Sequence, residues 1–94
     1  MTALNVFYHV PDGRRADFLA AIDREQIRAQ VYQEPGCLRY DFYVDANSED
    51  GLLLVEGYET EADFDFHKES AHFQRYVQLE QEFHVTMDVK IYRD

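Results

Sequence analysis

Two histidines are the side chains of this 94-residue chain best suited to acid–base chemistry. His67 and His72 stand five positions apart, after a segment that carries Glu56 and Tyr58. Histidine changes its charge near neutral pH, so it can accept or give up a proton under physiological conditions. Zinc is the rival explanation, but two helical ligands on one face stand four residues apart, and neither an H-E-x-x-H signature nor a cysteine completes a site. The pattern indicates proton transfer and predicts no metal.

His67 has the strongest claim to a catalytic role. On a helix it shares a face with Phe64 and Asp63, three and four residues earlier, so its ring points the way a core aromatic points, beside a carboxylate that could orient it. A general base needs such an arrangement. The alternative is a packed histidine at a helix end, satisfied by a backbone carbonyl. We expect His67 to be the base and Phe64 to contact the substrate.

His72 stands at the start of the next helix. A neutral imidazole near the positive end of a helix dipole has a lowered pKa and could act as a base or as a hydrogen-bond donor, or it could only cap the helix. Tyr76 follows one turn later on the same stripe. We predict a catalytic role for His72 and substrate contact for Tyr76.

Glu56 and Tyr58 share one face of a strand. A carboxylate in an otherwise apolar strand must be paired, hydrated or placed beside a pocket. We predict that Glu56 binds substrate and that Tyr58 serves as a catalytic donor. The alternative is a salt bridge, either to Arg39 or across a dimer.

Three further residues are candidates for substrate binding. Asn5 and His9 share a face of the first strand, and they enter a pocket if that face is turned toward the helices; in the opposite register they meet a partner chain. Tyr40 could orient a phenolic or carbonyl substrate, although such a tyrosine is more often core packing. Cys37, the single cysteine, has no activating partner in the sequence, and we assign it no role.

Hydrophobic periodicity predicts the elements that must position these residues. Alternating apolar residues indicate strands, a 3.6-residue repeat indicates helices, and Pro-Gly or Asp-rich segments mark the turns. The predicted elements are strand 4–10, helix 14–33, strand 38–44, strand 52–55, helix 61–68, a further helix that starts near 72, and strand 87–93.

The order β, α, β, β, α, β is that of a ferredoxin-like α+β fold, in which helices cover one face of a four-stranded antiparallel sheet. Residues 52–55, Leu-Leu-Leu-Val, are apolar on both faces, and the chain has no further element to cover the second face. We therefore expect a second copy of the sheet to pack there, forming a homodimer. Residues 1–94 form a single domain.

Composition excludes several classes of partner. Nineteen acidic residues against nine basic ones give a formal net charge of −10, which repels nucleic acid and anionic membranes. No apolar run is long enough for a signal peptide or a membrane span, which predicts a cytoplasmic protein. No glycine-rich phosphate cradle is present, so we expect neither flavin nor nicotinamide and predict no cofactor.

The motifs also carry a family resemblance. E-P-G-C-L-R-Y at 34–40, E-x-Y at 56–58 and H-x-x-x-x-H at 67–72, in this order, resemble the antibiotic biosynthesis monooxygenase family of small dimeric α+β barrels. The resemblance implies a cavity between helices and sheet that His67 borders. It also implies oxidation without a cofactor, in which a hydroxyarene or quinol substrate is deprotonated and itself reduces dioxygen.

Two other functions stay open. The stretch 56–72 is also similar to the family branch that contains the isomerase of phosphorylated autoinducer-2, which implies an isomerase of a small phosphorylated carbonyl compound, with Lys68 and Arg39 as candidate phosphate ligands. The third candidate is a dimeric binding protein without turnover, since fold does not fix function. Histidines that face a closed apolar cavity would favour an enzyme.

Overall fold

Four strands and four helices make up the chain, and the computed structural model describes all 94 residues. The strands are β1 (Thr2–His9), β2 (Cys37–Val44), β3 (Gly51–Tyr58) and β4 (Thr86–Arg93), and the helices are α1 (Arg15–Arg24), α2 (Ile27–Tyr32), α3 (Glu61–Glu69) and α4 (Ala71–Glu82). None of these helices has the length and apolar character that crossing a membrane requires.

The strands form one sheet in the order β2-β3-β1-β4, and every neighbouring pair is antiparallel. This is the predicted ferredoxin-like α+β architecture. All four helices pack on one face, where alternate residues of β1 and β3, such as Leu4, Val6, Leu52 and Leu54, are buried. The predicted fold class is therefore confirmed.

The single helix predicted over 14–33 is wrong, because the structure divides it. Helix α1 ends at Arg24 and α2 begins at Ile27, with Gln26 between them in a left-handed conformation at φ 56°. Apolar residues of this segment occupy an arc too wide for one straight helix to bury. The break lets Ile22 and Ile27 both reach the core, where each is at most 1% exposed.

The break predicted near Ser70 is present and separates α3 from α4. The Ser70 hydroxyl accepts the Phe73 N–H at 3.1 Å and donates to the His67 carbonyl at 2.7 Å, so one residue ends a helix and starts the next. Helix α3 begins with the predicted capping box between Thr60 and Asp63. These two caps fix the first residues of α3, which carries His67, and of α4, which carries His72.

The opposite face of the sheet is open, as the pattern of 52–55 predicts. Leu53 and Val55 lie there half-buried, and Phe7, Tyr43 and Tyr92 are 45%, 46% and 53% exposed. No element of the chain covers this face. An apolar surface of this kind is typical of a protein contact.

Strand β4 lies at the edge of the sheet and is not covered by the helices, so all eight of its residues are exposed. On the helix side of the sheet, Met87 and Ile91 lie beside Tyr8 and Leu4 of β1. The uncovered part of β4 therefore forms a wall of a cavity rather than part of the core.

Candidate active site

A cavity of about 330 Å³ lies between the sheet and helices α3 and α4. Nine of its fourteen lining residues are apolar or aromatic, which is typical of a site for a small organic molecule. The polar side chains that line it are Glu56, His67, Lys68, Glu80 and Arg93. Depressions of similar size beside Phe7 have either no histidine or only the exposed His9, without a buried carboxylate beside it. The cavity on the helix side is therefore the candidate site.

His67 is held by a buried carboxylate from another part of the chain. Its Nδ1 lies 2.8 Å from Oε2 of Glu34, and the two residues are 3% and 7% exposed. A carboxylate only accepts hydrogen bonds, so Nδ1 carries the proton and Nε2 keeps its lone pair. The predicted orienter, Asp63, is instead engaged in the capping box with Thr60, so that part of the prediction is wrong.

The turn that carries Glu34 docks tightly against the start of α3. The Glu59 N–H donates to the Gly36 carbonyl at 2.9 Å, and a Cβ added at Gly36 would lie 2.0 Å from the Asp63 side chain. Only glycine permits this close approach. The docking brings the carboxylate of Glu34 within hydrogen-bonding distance of Nδ1 of His67.

His72 binds the same carboxylate oxygen from the other side. Its Nε2 lies 2.5 Å from Glu34 Oε2, so that single oxygen accepts from a histidine of α3 and a histidine of α4. The other oxygen, Oε1, is buried and has no hydrogen-bond partner. His72 does not line the cavity, and Glu34 links it to His67.

Burial lowers the pKa of His67, and the hydrogen bond and negative charge of Glu34 oppose that shift. The effect of burial is the larger, so the pKa of His67 lies below its ordinary value and the ring is neutral at neutral pH. The rings of Tyr58 and Phe73 lie 5.2 Å from it and hold it in place. A neutral, oriented imidazole with a free Nε2 is the form that a general base requires.

Glu56 faces Nε2 of His67 across a short gap. Its Oε1 lies 3.8 Å from that nitrogen and accepts a 2.7 Å hydrogen bond from the Tyr58 hydroxyl. Burial raises the pKa of Glu56 to about 7, against the opposing effect of that hydrogen bond. The carboxyl can therefore hold or release a proton near neutral pH, beside the base.

A second set of proton donors and acceptors lines the cavity near α4. Tyr8 and Tyr76 share a hydrogen bond of 2.8 Å between their hydroxyls. Burial raises the pKa of Glu80 to about 7, and a hydrogen bond with Tyr8 opposes the shift. Burial also raises the pKa of both tyrosines, so they stay protonated and can donate.

The structure brings most of the predicted site residues together. The predicted residues that line the cavity are Tyr40, Glu56, Phe64, His67 and Tyr76. Tyr58 and His72 stand one hydrogen bond behind it, on Glu56 and Glu34. The chemical roles of all seven stay predictions.

Asn5 and His9 are not part of this site. The buried residues of β1 alternate with them, so both point to the open face, the second of the two registers that the sequence allowed. Arg39 also lies away from the cavity, bonded to Asp41 and Tyr43, so the alternative of a salt bridge between Arg39 and Glu56 is not present.

Sequence reasoning did not assign a role to Glu34, Glu80 or Tyr8. Glu34 precedes Pro35 at the end of a helical region, where a carboxylate is ordinarily solvated, and only the docking of the turn buries it. Glu80 lies four residues after Tyr76 on one face of α4, and that spacing is the signal that could have found it.

Glu34, His67 and His72 are also able to hold a metal ion. One ligand atom from each lies within 4.8 Å of the others. The spacing of the two histidines did not reveal this set because the third ligand comes from a distant turn.

The fold and the cavity together define the class of protein. The model of the family described as antibiotic biosynthesis monooxygenase matches residues 1–79, and the chain belongs to this family. Its members bind small molecules and are typically dimeric.

Individual relatives agree with this assignment. The putative monooxygenase YcnE of Bacillus subtilis is 29% identical over 77 residues, which are 82% of this chain and 79% of that protein. A putative antibiotic biosynthesis monooxygenase from Nitrosomonas europaea is 25% identical with a TM-score of 0.87, over 100% of this chain and 98% of that one. SnoaB from Streptomyces nogalater, a cofactor-independent oxygenase, has the same fold at 12% identity and a TM-score of 0.83, over 99% and 91%.

Proposed function

We propose that this protein is a cofactor-independent monooxygenase that oxidises a small hydroxyarene or quinol with dioxygen. The observation that carries the proposal is the free Nε2 of His67, which Glu34 orients toward an apolar cavity of about 330 Å³. That SnoaB, described as a cofactor-independent oxygenase, has this fold supports the proposal, since the fold accommodates such chemistry.

The first step is removal of the phenolic proton by Nε2 of His67. Glu34 stabilises the imidazolium that forms and keeps the proton of Nδ1 in place. The resulting phenolate is electron-rich and reduces dioxygen directly, so no bound redox group is needed. The largely apolar lining is suited to keeping water away from the reactive intermediate once substrate fills the cavity.

The second step returns a proton and releases water. Oxygen adds at a ring carbon that bears hydrogen, and the imidazolium of His67 gives its proton to the peroxide that forms. The hydroperoxide then loses water to leave a quinone carbonyl, as the leaving oxygen gains a proton from an acid and the proton of the ring carbon passes to the carboxylate of that acid. One atom of dioxygen enters the product and the other becomes water, while the ring supplies four electrons. Glu56, at 3.8 Å from the base and with a pKa of about 7, is the acid that protonates the leaving oxygen.

An oxygen electrode tests this function. Protein freed of metal by chelation and of flavin by gel filtration is supplied with a panel of naphthols, anthrones and quinols, and oxygen uptake is compared with quinone formed. We expect one dioxygen consumed per quinone. A requirement for added flavin, nicotinamide or metal would contradict the proposal, as would no uptake with any member of the panel.

The pH profile reports on Glu56. Turnover should rise as His67 loses its proton and fall as pH increases through about 7, where Glu56 loses the proton it must donate. Glu56→Gln should lower kcat by about tenfold or more and abolish the falling limb. Glu80→Gln is the matched control, because Glu80 has a pKa of about 7 in the same cavity. A falling limb that disappears in Glu80→Gln and persists in Glu56→Gln would reverse the assignment.

The isomerase remains a second candidate because two cations line the cavity. Lys68 and Arg93 lie at its edge, where a phosphate could bind, whereas the predicted Arg39 does not. His67 would then move a proton beside a carbonyl, with Glu56 as its partner. Turnover of a phosphorylated ketose under nitrogen, without oxygen uptake, would favour this candidate. We favour an enzyme over the non-catalytic alternative because the buried His67 lines this largely apolar cavity.

We also propose that the open face of the sheet is the contact of a homodimer. Two such faces can pack about 10 Å apart and bury their apolar side chains against each other.

Light scattering after gel filtration should give twice the mass of 11.2 kDa at micromolar concentration. Phe7→Asp places a charge in the centre of this face and should give a monomer. Phe66→Asp, on the 56% exposed Phe66 of α3, should stay dimeric. A monomeric wild type, or equal effects of both variants, would contradict the proposal.

A further inference from the structure

We propose that Glu34, His67 and His72 form a binding site for one divalent transition-metal ion, best suited to Zn²⁺, and that this ion switches off His67 as a base. The metal site goes beyond the proposed function, because metal binding can be measured whether or not the protein oxidises a substrate, and the loss of the base rests on that function.

The donor set favours such an ion. Two imidazole nitrogens and one carboxylate oxygen are ligands that Zn²⁺ and its neighbours in the transition series bind well, with water in a remaining position. Each donor comes from a different element: the turn after α2, helix α3 and the N-terminus of α4. The three ligand atoms already lie within 4.8 Å of one another.

The unpartnered oxygen of Glu34 points independently to a ligand. Oε1 is buried and accepts no hydrogen bond, although a buried carboxylate oxygen is costly to leave unpaired. A metal ion bound by both oxygens of this carboxylate would give Oε1 a partner. Side chains of Glu34 and His67 are only 4% and 3% exposed, so no surface water replaces that partner.

Movements of the three side chains separate the hydrogen-bonded state from the metal-bound state. The nitrogens of His67 and His72 now lie 2.8 and 2.5 Å from Oε2 of Glu34. Zinc with bonds of about 2.0–2.1 Å in a tetrahedral arrangement holds its ligands about 3.3 Å apart. Both separations must therefore widen by roughly 0.5 to 0.8 Å, and the separation between the two histidine nitrogens, now at most 4.8 Å, must also become about 3.3 Å. Rotation of the three side chains can supply these changes.

Metal binding moves a proton onto the catalytic nitrogen. In the hydrogen-bonded state Nδ1 of His67 and Nε2 of His72 carry protons, and a metal ion needs the lone pairs of these same atoms. The ring of His67 keeps its proton by transferring it from Nδ1 to its other nitrogen through solvent. Nε2 of His67 then carries hydrogen and cannot accept a proton from a substrate.

The site is accessible and attracts cations. The side chain of His72 is 13% exposed, which gives an entry path from solvent on the side away from the cavity. The net charge of −10 raises the local concentration of divalent cations.

Calorimetric titration of metal-free protein with ZnCl₂, and the visible absorption of a Co²⁺ titration, test the site. We expect one ion per chain, with the intense bands of a four-coordinate Co²⁺ site. His72→Gln should weaken binding on the order of 100-fold, because even partners of metal ligands are worth 10- to 100-fold. His84→Asn is the matched control, since His84 is exposed and its positive φ tolerates asparagine; its affinity should equal that of the wild type.

No stoichiometric binding by the wild type at up to about 0.1 mM zinc would overturn the proposal, whether or not the variants fold. Equal losses in His72→Gln and His84→Asn would also overturn it, because the ion would then sit on surface histidines. If oxygen uptake is found, zinc should inhibit it with the dissociation constant measured by calorimetry, and chelator should restore it. Failure of the oxygenase assay with intact zinc binding refutes the function alone.

Discussion

Replacing His67 with alanine should lower kcat by about two to four orders of magnitude while the protein stays folded, because the variant lacks the group that removes the substrate proton. Some loss of stability is also expected, since the ring packs between Tyr58 and Phe73. A purely structural histidine would cost about 1 to 3 kcal/mol of stability and would reduce activity only in proportion to the unfolded fraction.

Turnover and thermal midpoint measured on one preparation separate these two outcomes. His84→Ala is the control, because that histidine is exposed and lies outside the site. A destabilised His67→Ala protein whose folded fraction keeps wild-type turnover would refute the catalytic assignment.

Glu34→Gln should lower kcat by about 100-fold although glutamine has nearly the same shape. The amide carries no charge to stabilise the imidazolium, and its NH₂ group can face Nδ1 and favour the wrong tautomer. Glu34 also raises the pKa of His67 through its hydrogen bond and its charge. The rising limb of the pH profile should therefore move to lower pH in the variant.

Glu69→Gln provides the matched comparison, since Glu69 ends the same helix as His67 but is exposed. It should keep wild-type kcat and an unshifted pH profile. Glu34→Gln with normal turnover and an unshifted rising limb would show that Glu34 only fills space.

The fold could be predicted from the sequence because its signals are local. Alternation in β1 and β2, the Pro35-Gly36 stop and the Thr60 cap each report on a few neighbouring residues, and all of them agree with one topology. The division between α1 and α2 was not predicted, because Gln26 adopts the left-handed conformation there and glutamine does not ordinarily indicate such a turn.

Only part of the candidate site could be predicted from the sequence. His67 stood out as an imidazole on the helix face of Phe64, and Glu56 as a carboxylate in an apolar strand; both line the cavity. Glu34 lies 33 residues before His67, and only tertiary docking of the turn at Gly36 joins them. Strand parity alone could not tell which face of β1 meets the helices, so Asn5 was misplaced.

The protonation of His67 tests the central claim most directly. Long-range ¹⁵N–¹H correlation of the imidazole nitrogens, in metal-free protein, distinguishes the two neutral tautomers and the imidazolium. We predict that His67 carries its proton on Nδ1 in the free protein and becomes an imidazolium when it binds, under nitrogen, a hydroxyarene whose hydroxyl is more acidic than the imidazolium of His67. A free protein with the proton on Nε2, or a ring whose protonation does not change on binding, would contradict the account.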